Sequence, residues 1–231
     1  MNENKQARYL KYAIGEIVLV VIGILIALQI NNWNDNTKLR RTEIYVLGEI
    51  LNNLEEDGLI LEEIILRRQR AKKSIERMME YLPNDTIEKA QLESDLMHFL
   101  NFERYFPINH AYEILKSKGL EIKNNQLTTQ LSRYYDFEQK RINRSIEDIE
   151  TGIVKILRDQ EGMMKYVTAI SLNNYVTVSD QNNPELKEQL MRSLIGFKEN
   201  NGGTLEKLKG FLVVHAELKK TLEKEIDRLN G

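Results

Sequence analysis

Few residues of this chain belong to the types that do chemistry, and their spacing limits what they could do. The histidines are His98, His110 and His215. None is part of an H-E-x-x-H pair, so the two-imidazole zinc face of a metalloprotease helix is missing. His215-Ala216-Glu217 has no Pro-Cys-x-x-Cys partner, which a zinc deaminase requires, and the chain holds no cysteine. His215 falls on the apolar face of a helical pattern, where a histidine is usually a satisfied core residue. There is no G-x-S-x-G elbow, no Walker loop and no dinucleotide fingerprint. The many Asp and Glu residues lie between apolar positions, as solvated helix faces do. These patterns predict a protein that is not an enzyme, with no cofactor and no metal site.

One acid stands apart. Glu16 sits inside YAIGEIVLVVIGILIALQI (12–30), where only Glu16 and Gln29 are polar. Nineteen helical residues cover roughly 28 Å, close to a hydrocarbon core of about 30 Å. The exit Ala27-Leu28-Gln29-Ile30-Asn31-Asn32 lacks the small-residue arrangement of a cleavage site, so the run is expected to be an uncleaved membrane anchor. An unpaired charge in lipid costs several kcal/mol. Glu16 therefore either reaches the headgroups near the start of the run or makes a polar contact to a partner helix. Gly23-x-x-x-Ala27 is a small-x-x-x-small pattern that lets another helix approach closely. Trp33, just past the run, suits the membrane interface.

Composition narrows the rest. The chain has 231 residues, a formal net charge of −2 and 29% charged residues, so no basic excess points to nucleic acid. Three prolines and 12 glycines make long helices easy and a turn-rich β-sandwich unlikely. The absence of cysteine removes disulfides and thiolate chemistry.

The elements follow from periodicity. Ile44, Leu47, Leu51, Leu54, Gly58, Leu61 and Ile65 show coiled-coil-like spacing, which resumes at Ile75, Met79 and Leu82 after polar Arg68 and Lys72. Pro83-Asn84-Asp85 ends that helix. A second is expected over 86–102 and a short third over 109–118, closed by Gly119 in a left-handed conformation. The longest is expected over 124–173, about 75 Å at 1.5 Å per residue. Its seam is Ile142, Ile146, Ile149, Ile153, Ile156, Gln160, Met163, Val167 and Ile170. Gln160, the polar member, is placed to set register. The seam serves as bundle core, with intermolecular pairing as the rival use. Residues 173–183 are expected as a loop, Pro184 as the first turn of a helix to about 200, Gly202-Gly203 as a turn, and 204–230 as the last helix. Phe102, Tyr105, Phe106, Tyr112, Tyr134 and Tyr135 belong to an aromatic concentration. It is expected to pack in the core, with a ligand or docking region as the alternative.

Two stretches, YLKYAIGEIVLVVIGILIALQINNWND (9–35) and FPINHAYEILKSKGLEIKNNQLTTQLSRYYD (106–136), carry a resemblance. They resemble an uncharacterised family of single-span envelope proteins of Bacteroidota, which shares the YAIGE…VIGILIALQINNW signature before a helical domain of unknown function. The two stretches cover about a quarter of the chain. The N-terminal tail is shorter than relatives often have. The resemblance implies an inner-membrane protein with a periplasmic body and implies no activity.

The expected class is all-α: a single N-terminal transmembrane helix followed by an elongated extracytoplasmic bundle with long coiled-coil-like helices. The layout is a cytoplasmic tail (1–11), membrane helix (12–30), juxtamembrane segment (31–43) and periplasmic helical domain (44–231). Lys5, Arg8 and Lys11 before the span balance Lys38, Arg40 and Arg41 after it, so charge does not choose the orientation; the signal-anchor form favours the tail inside. The expected role is a structural or accessory subunit that forms a homo-oligomer or joins other membrane proteins in the lipid. The alternative is a helical sensor that signals through a membrane partner.

Overall fold

A computed structural model describes residues 3–170 and 175–231, with side chains described for 15–169 and 175–231. The chain is all-α apart from one small hairpin. Helix α1 runs from Glu3 to Tyr81 without interruption, 79 residues or roughly 120 Å. The apolar run and the coiled-coil-like segment are thus one helix. The asparagine-rich 31–36 stretch does not break it, because asparagine lowers helix propensity by only a few tenths of a kcal/mol and no proline intervenes. From Ile17 to Leu28 the large apolar side chains are all about half exposed or more. Among the described residues nothing covers them.

The body begins where α6 (Pro184–Asn230) comes back along α1. The two run antiparallel. Arg40 donates to the Leu229 carbonyl at 2.5 Å, His215 packs on Gly58, Asn201 donates to the Arg68 carbonyl at 3.2 Å, and Lys187 reaches the Asn84 carbonyl at 2.7 Å. Helix α6 starts on Pro184 and is capped by Asn183, whose side chain accepts from the Glu185 and Leu186 amides. It passes through Gly202-Gly203 as unbroken helix, where a turn was expected. Leu194, Phe197, Leu205 and Leu208 are buried on either side of the pair, and that burial outweighs the roughly 1 kcal/mol helix penalty of each glycine.

Against this pair lie α2 (Lys89–Phe99), α3 (His110–Ser117), α4 (Asn125–Arg133) and α5 (Gln139–Arg158). Gly119, at φ +56°, closes α3 as its position suggested. Helices α4 and α5 are joined by a π-helical turn, Tyr134–Glu138. The wider turn re-phases the apolar face between Leu131 and Ile142, so both helices bury the same side.

The expected 124–173 helix is corrected at its far end. Helix α5 stops at Arg158, and Asp159 accepts from the Gly162 amide at 3.0 Å. A Cβ on Gly162 would meet that carboxylate, so a larger residue there would displace the Asp159 side chain from its bond. A 3₁₀ turn (Met163–Lys165) and strand β1 (Val167–Ile170) follow, paired antiparallel with β2 (Tyr175–Val178). Gln160 is exposed outside the seam, Met163 belongs to the 3₁₀ turn, and Val167 and Ile170 are strand residues. Part of the expected 173–183 loop is β2; residues 173–174 lie outside the described residues. The β-branched content of YVTV explains the preference for extended backbone.

Two cores result. One holds Leu47, Ile50, Leu54 and Leu61 of α1 with α3, α4, Tyr134, Tyr135 and the last half of α6. The other holds Ile75 and Met78 with α2, Ile149, Ile153, the hairpin and the first half of α6.

Candidate functional site

The densest polar grouping lies inside the first core, where α1, α6 and the π-helical turn meet. Asp57 occupies a core-facing position of α1 and is fully buried. Its carboxylate accepts from the Tyr105 hydroxyl at 2.5 Å, the Ile108 amide at 3.4 Å and Gln139 Nε2 at 3.3 Å. Burial raises its pKa above the ordinary 3.8, and these hydrogen bonds offset only part of that rise. The next residue of α1, Gly58, leaves room for the His215 ring; a Cβ there would meet Nε2 at 3.0 Å. His215 Nδ1 lies 2.6 Å from the Tyr134 hydroxyl, and the ring also bonds the Leu54 carbonyl. That pairing suits a neutral imidazole that accepts at Nδ1. Burial accordingly lowers the His215 pKa below 6.5.

The aromatic residues divide. Tyr105, Tyr112, Tyr134 and Tyr135 are buried together. Tyr112 stacks on Tyr135 at 4.4 Å between centroids, and Tyr134 stacks on Phe211 at 5.0 Å. The Tyr112 hydroxyl donates to Asp136 at 2.7 Å; burial first, then that bond, pushes its pKa up to about 12. Phe106 is exposed. Phe102 lines an open groove of about 560 Å³ with Arg67, Met97, Leu157, Met164 and Val176, between α2 and the hairpin.

A second buried charge joins the middle of α1 to the segment that follows α2. Arg68, which interrupts the α1 pattern, is 1% exposed. Its Nε lies 2.9 Å from Glu103, and Nη2 donates to the Asn101 carbonyl at 2.5 Å. Burial raises the Glu103 pKa more than the neighbouring guanidinium lowers it. The pair anchors the 100–108 segment that carries Tyr105 to Asp57.

The sequence-level candidates fall in three places. Ile142, Ile146, Ile149 and Ile153 are buried, and Ile156 is half-buried. Glu16, Gly23 and Ala27 are exposed on the free part of α1, and Trp33 is exposed just beyond them. Asp57, Gln139 and Glu103 were not singled out from sequence. For Asp57 a signal was available: it stands three residues from Leu54 and four from Leu61, in phase with the core. Among the described residues no group of three or more His, Asp or Glu is placed to hold a metal ion. His98 is half-buried and His110 exposed, far from forming a set with His215.

Asp57, Tyr105, Tyr134, Gln139 and His215 are all buried. Their polar atoms pair with one another, while the neighbouring buried Tyr135 hydroxyl has no partner, and the pairing suits fixing the packing of α1 on α6 and the π-helical turn. Comparison with curated proteins and with solved structures gives no match. A family of unknown function, DUF6090, matches residues 16–148, which takes in most of the apolar run, all of α1 beyond it, α2 to α4, the π-helical turn and half of α5. That is more than half of the chain, and the protein belongs to this family.

Proposed function

We propose that this protein is a non-enzymatic, membrane-anchored structural or accessory subunit that assembles through its membrane helix and helical body. The observation that carries the reading is the continuity of α1. One helix is both the apolar segment, long enough to cross a membrane, and the spine of the body. A contact made in the bilayer is therefore coupled rigidly to the body, without a flexible linker. In this reading residues 1–11 are a cytoplasmic tail, 12–30 the span, 31–43 a juxtamembrane stalk and 44–231 a periplasmic domain at the inner membrane. The likeness of the 9–35 signature to Bacteroidota envelope proteins supports that placement. Glu16 gains its partner from another chain, since a single helix offers none.

The test is the native mass in mild detergent of the full chain beside Glu16→Gln. The expected result is a defined assembly that the variant weakens or loses. A monomer of 27.1 kDa for both would overturn the reading.

A second reading, a ligand-binding or sensing module, is favoured by the groove at Phe102, which joins apolar walls to Arg67. A small molecule that co-purifies with the protein and is lost on Phe102→Ala would support it.

A further inference from the structure

Helix α1 leaves one side exposed from Tyr45 to Leu59; Leu66, at its far end, borders a cleft with Met97 and His98 of α2, and Arg77 beyond it pairs with Asp95 of α2. Leu47, Ile50, Leu54, Leu61 and Ile65 turn to the core. On the opposite side Tyr45, Leu59 and Leu66 are 67%, 70% and 53% exposed. These three lie on a single seven-residue ladder whose remaining rung is Asn52, also exposed. A seven-residue repeat keeps a seam facing a partner helix, and a lone asparagine at such a position sets register between parallel helices. Gly48, beside the ladder, has nothing within 4 Å of where its Cβ would be, so a second backbone could come close there.

Because α1 is one helix, the same side can be followed toward the N-terminus. At 3.6 residues per turn Glu16, Gly23, Ala27, Tyr45, Asn52, Leu59 and Leu66 fall within roughly 60° of one another. The side that faces away from the body is therefore also the side with the small residues and the acid. Two chains anchored in one membrane must run parallel, so identical residues meet at the same height, as a two-fold contact requires.

We infer that this side of α1 is the contact between two copies of the chain, a parallel pair with Tyr45, Asn52, Leu59 and Leu66 in the seam. This rests on the assembling-subunit reading and names its partner. The charges beside the seam are compatible with it. Glu63 is held by Arg67, and Glu55 meets Lys219 at 2.9 Å, so two of the five flanking acids, Glu49, Glu55, Glu56, Glu62 and Glu63, are paired within each copy. Glu56 and Glu62 remain at the solvent edges.

The absence of cysteine from the chain makes the test clean. Tyr45→Cys, Leu59→Cys and Leu66→Cys are made one at a time in the full chain. Phe137→Cys, an exposed position outside α1, serves as the control. Each is oxidised in membranes with copper phenanthroline. The expected result is a band at twice 27.1 kDa for the three seam variants and a single-chain band for the control. Leu59→Lys with Leu66→Lys, at exposed sites, should lower the native mass in detergent and leave helicity unchanged. A native assembly without seam cross-links would overturn this inference and leave the assembly reading standing. A native monomer would overturn both. Equal cross-linking at all four positions would also overturn it, as random collision.

Discussion

His215 and Asp57 show how one buried grouping responds to pH in two directions. The unfolded chain protonates His215 as pH falls through 6.5, while the folded chain resists because its imidazole is buried. Folding stability from this residue is therefore present above 6.5 and lost as pH falls below it. Asp57 works the other way. Its folded pKa is raised above 3.8, so its contribution is largest at low pH and is lost as pH rises through the folded value. Between the two, His215 sets the slope just below neutrality. We expect His215→Gln to flatten the loss of thermal stability between pH 6.5 and 5 relative to the wild type, at some cost at neutral pH from the changed bond to Tyr134. Thermal unfolding followed by circular dichroism across that range checks the sign. A steeper slope in the variant would contradict a neutral buried imidazole.

At the scale of elements, α6 is the sharpest case. A turn at Gly202-Gly203 would give at least one of them a positive φ, and alanine there would destabilise. The helix instead runs through both, and Gly119 is the single described glycine with positive φ. Gly203 is exposed with nothing within 4 Å of a Cβ position. Gly203→Ala should therefore stabilise the protein by about 1 kcal/mol, raising the denaturation midpoint. Gly119→Ala should lower it. Chemical denaturation of the two variants distinguishes a continuous helix from a broken one by the sign of the first change. The π-helical turn is a second element of interest, because it carries Tyr134 and Tyr135 into the core and leaves Phe137 exposed.

Considered whole, the molecule is organised by the phase of α1. The membrane segment, the polar stalk and the body share one helical register, so a rotation introduced between them has a defined consequence. Two residues inserted between Asn36 and Thr37 turn the segment with Gly23 and Ala27 by roughly 200° relative to Tyr45 and Leu59. Seven inserted residues return it to within about 20° of its original side. The two-residue insertion is expected to weaken the native assembly and the seven-residue insertion to keep it, as read by native mass in detergent. Equal masses for both insertions would mean that register between membrane and body does not matter.

The all-α class, the exposed apolar segment and the buried α5 isoleucines were legible in the amino-acid sequence. Each is a matter of local periodicity, which a window of ten to twenty residues carries. The cap at Gly119 and the start at Pro184 were legible for the same reason, since each depends on the backbone preference of one residue. The end of α5 was not. Met163, Val167 and Ile170 continue the spacing of the seam, and only the contact of Asp159 with Gly162 and the pairing of β1 with β2 divert the chain. The continuity of α6 through two glycines was likewise hidden, because propensity argues against it and packing on α1 decides it. The buried polar network was hidden most completely. Tyr105 and Gln139 lie 48 and 82 residues from Asp57, and His215 lies 81 from Tyr134, and nothing local marks an acid that the fold will bury. Tertiary structure alone brought them together, and it alone set which side of α1 remains free.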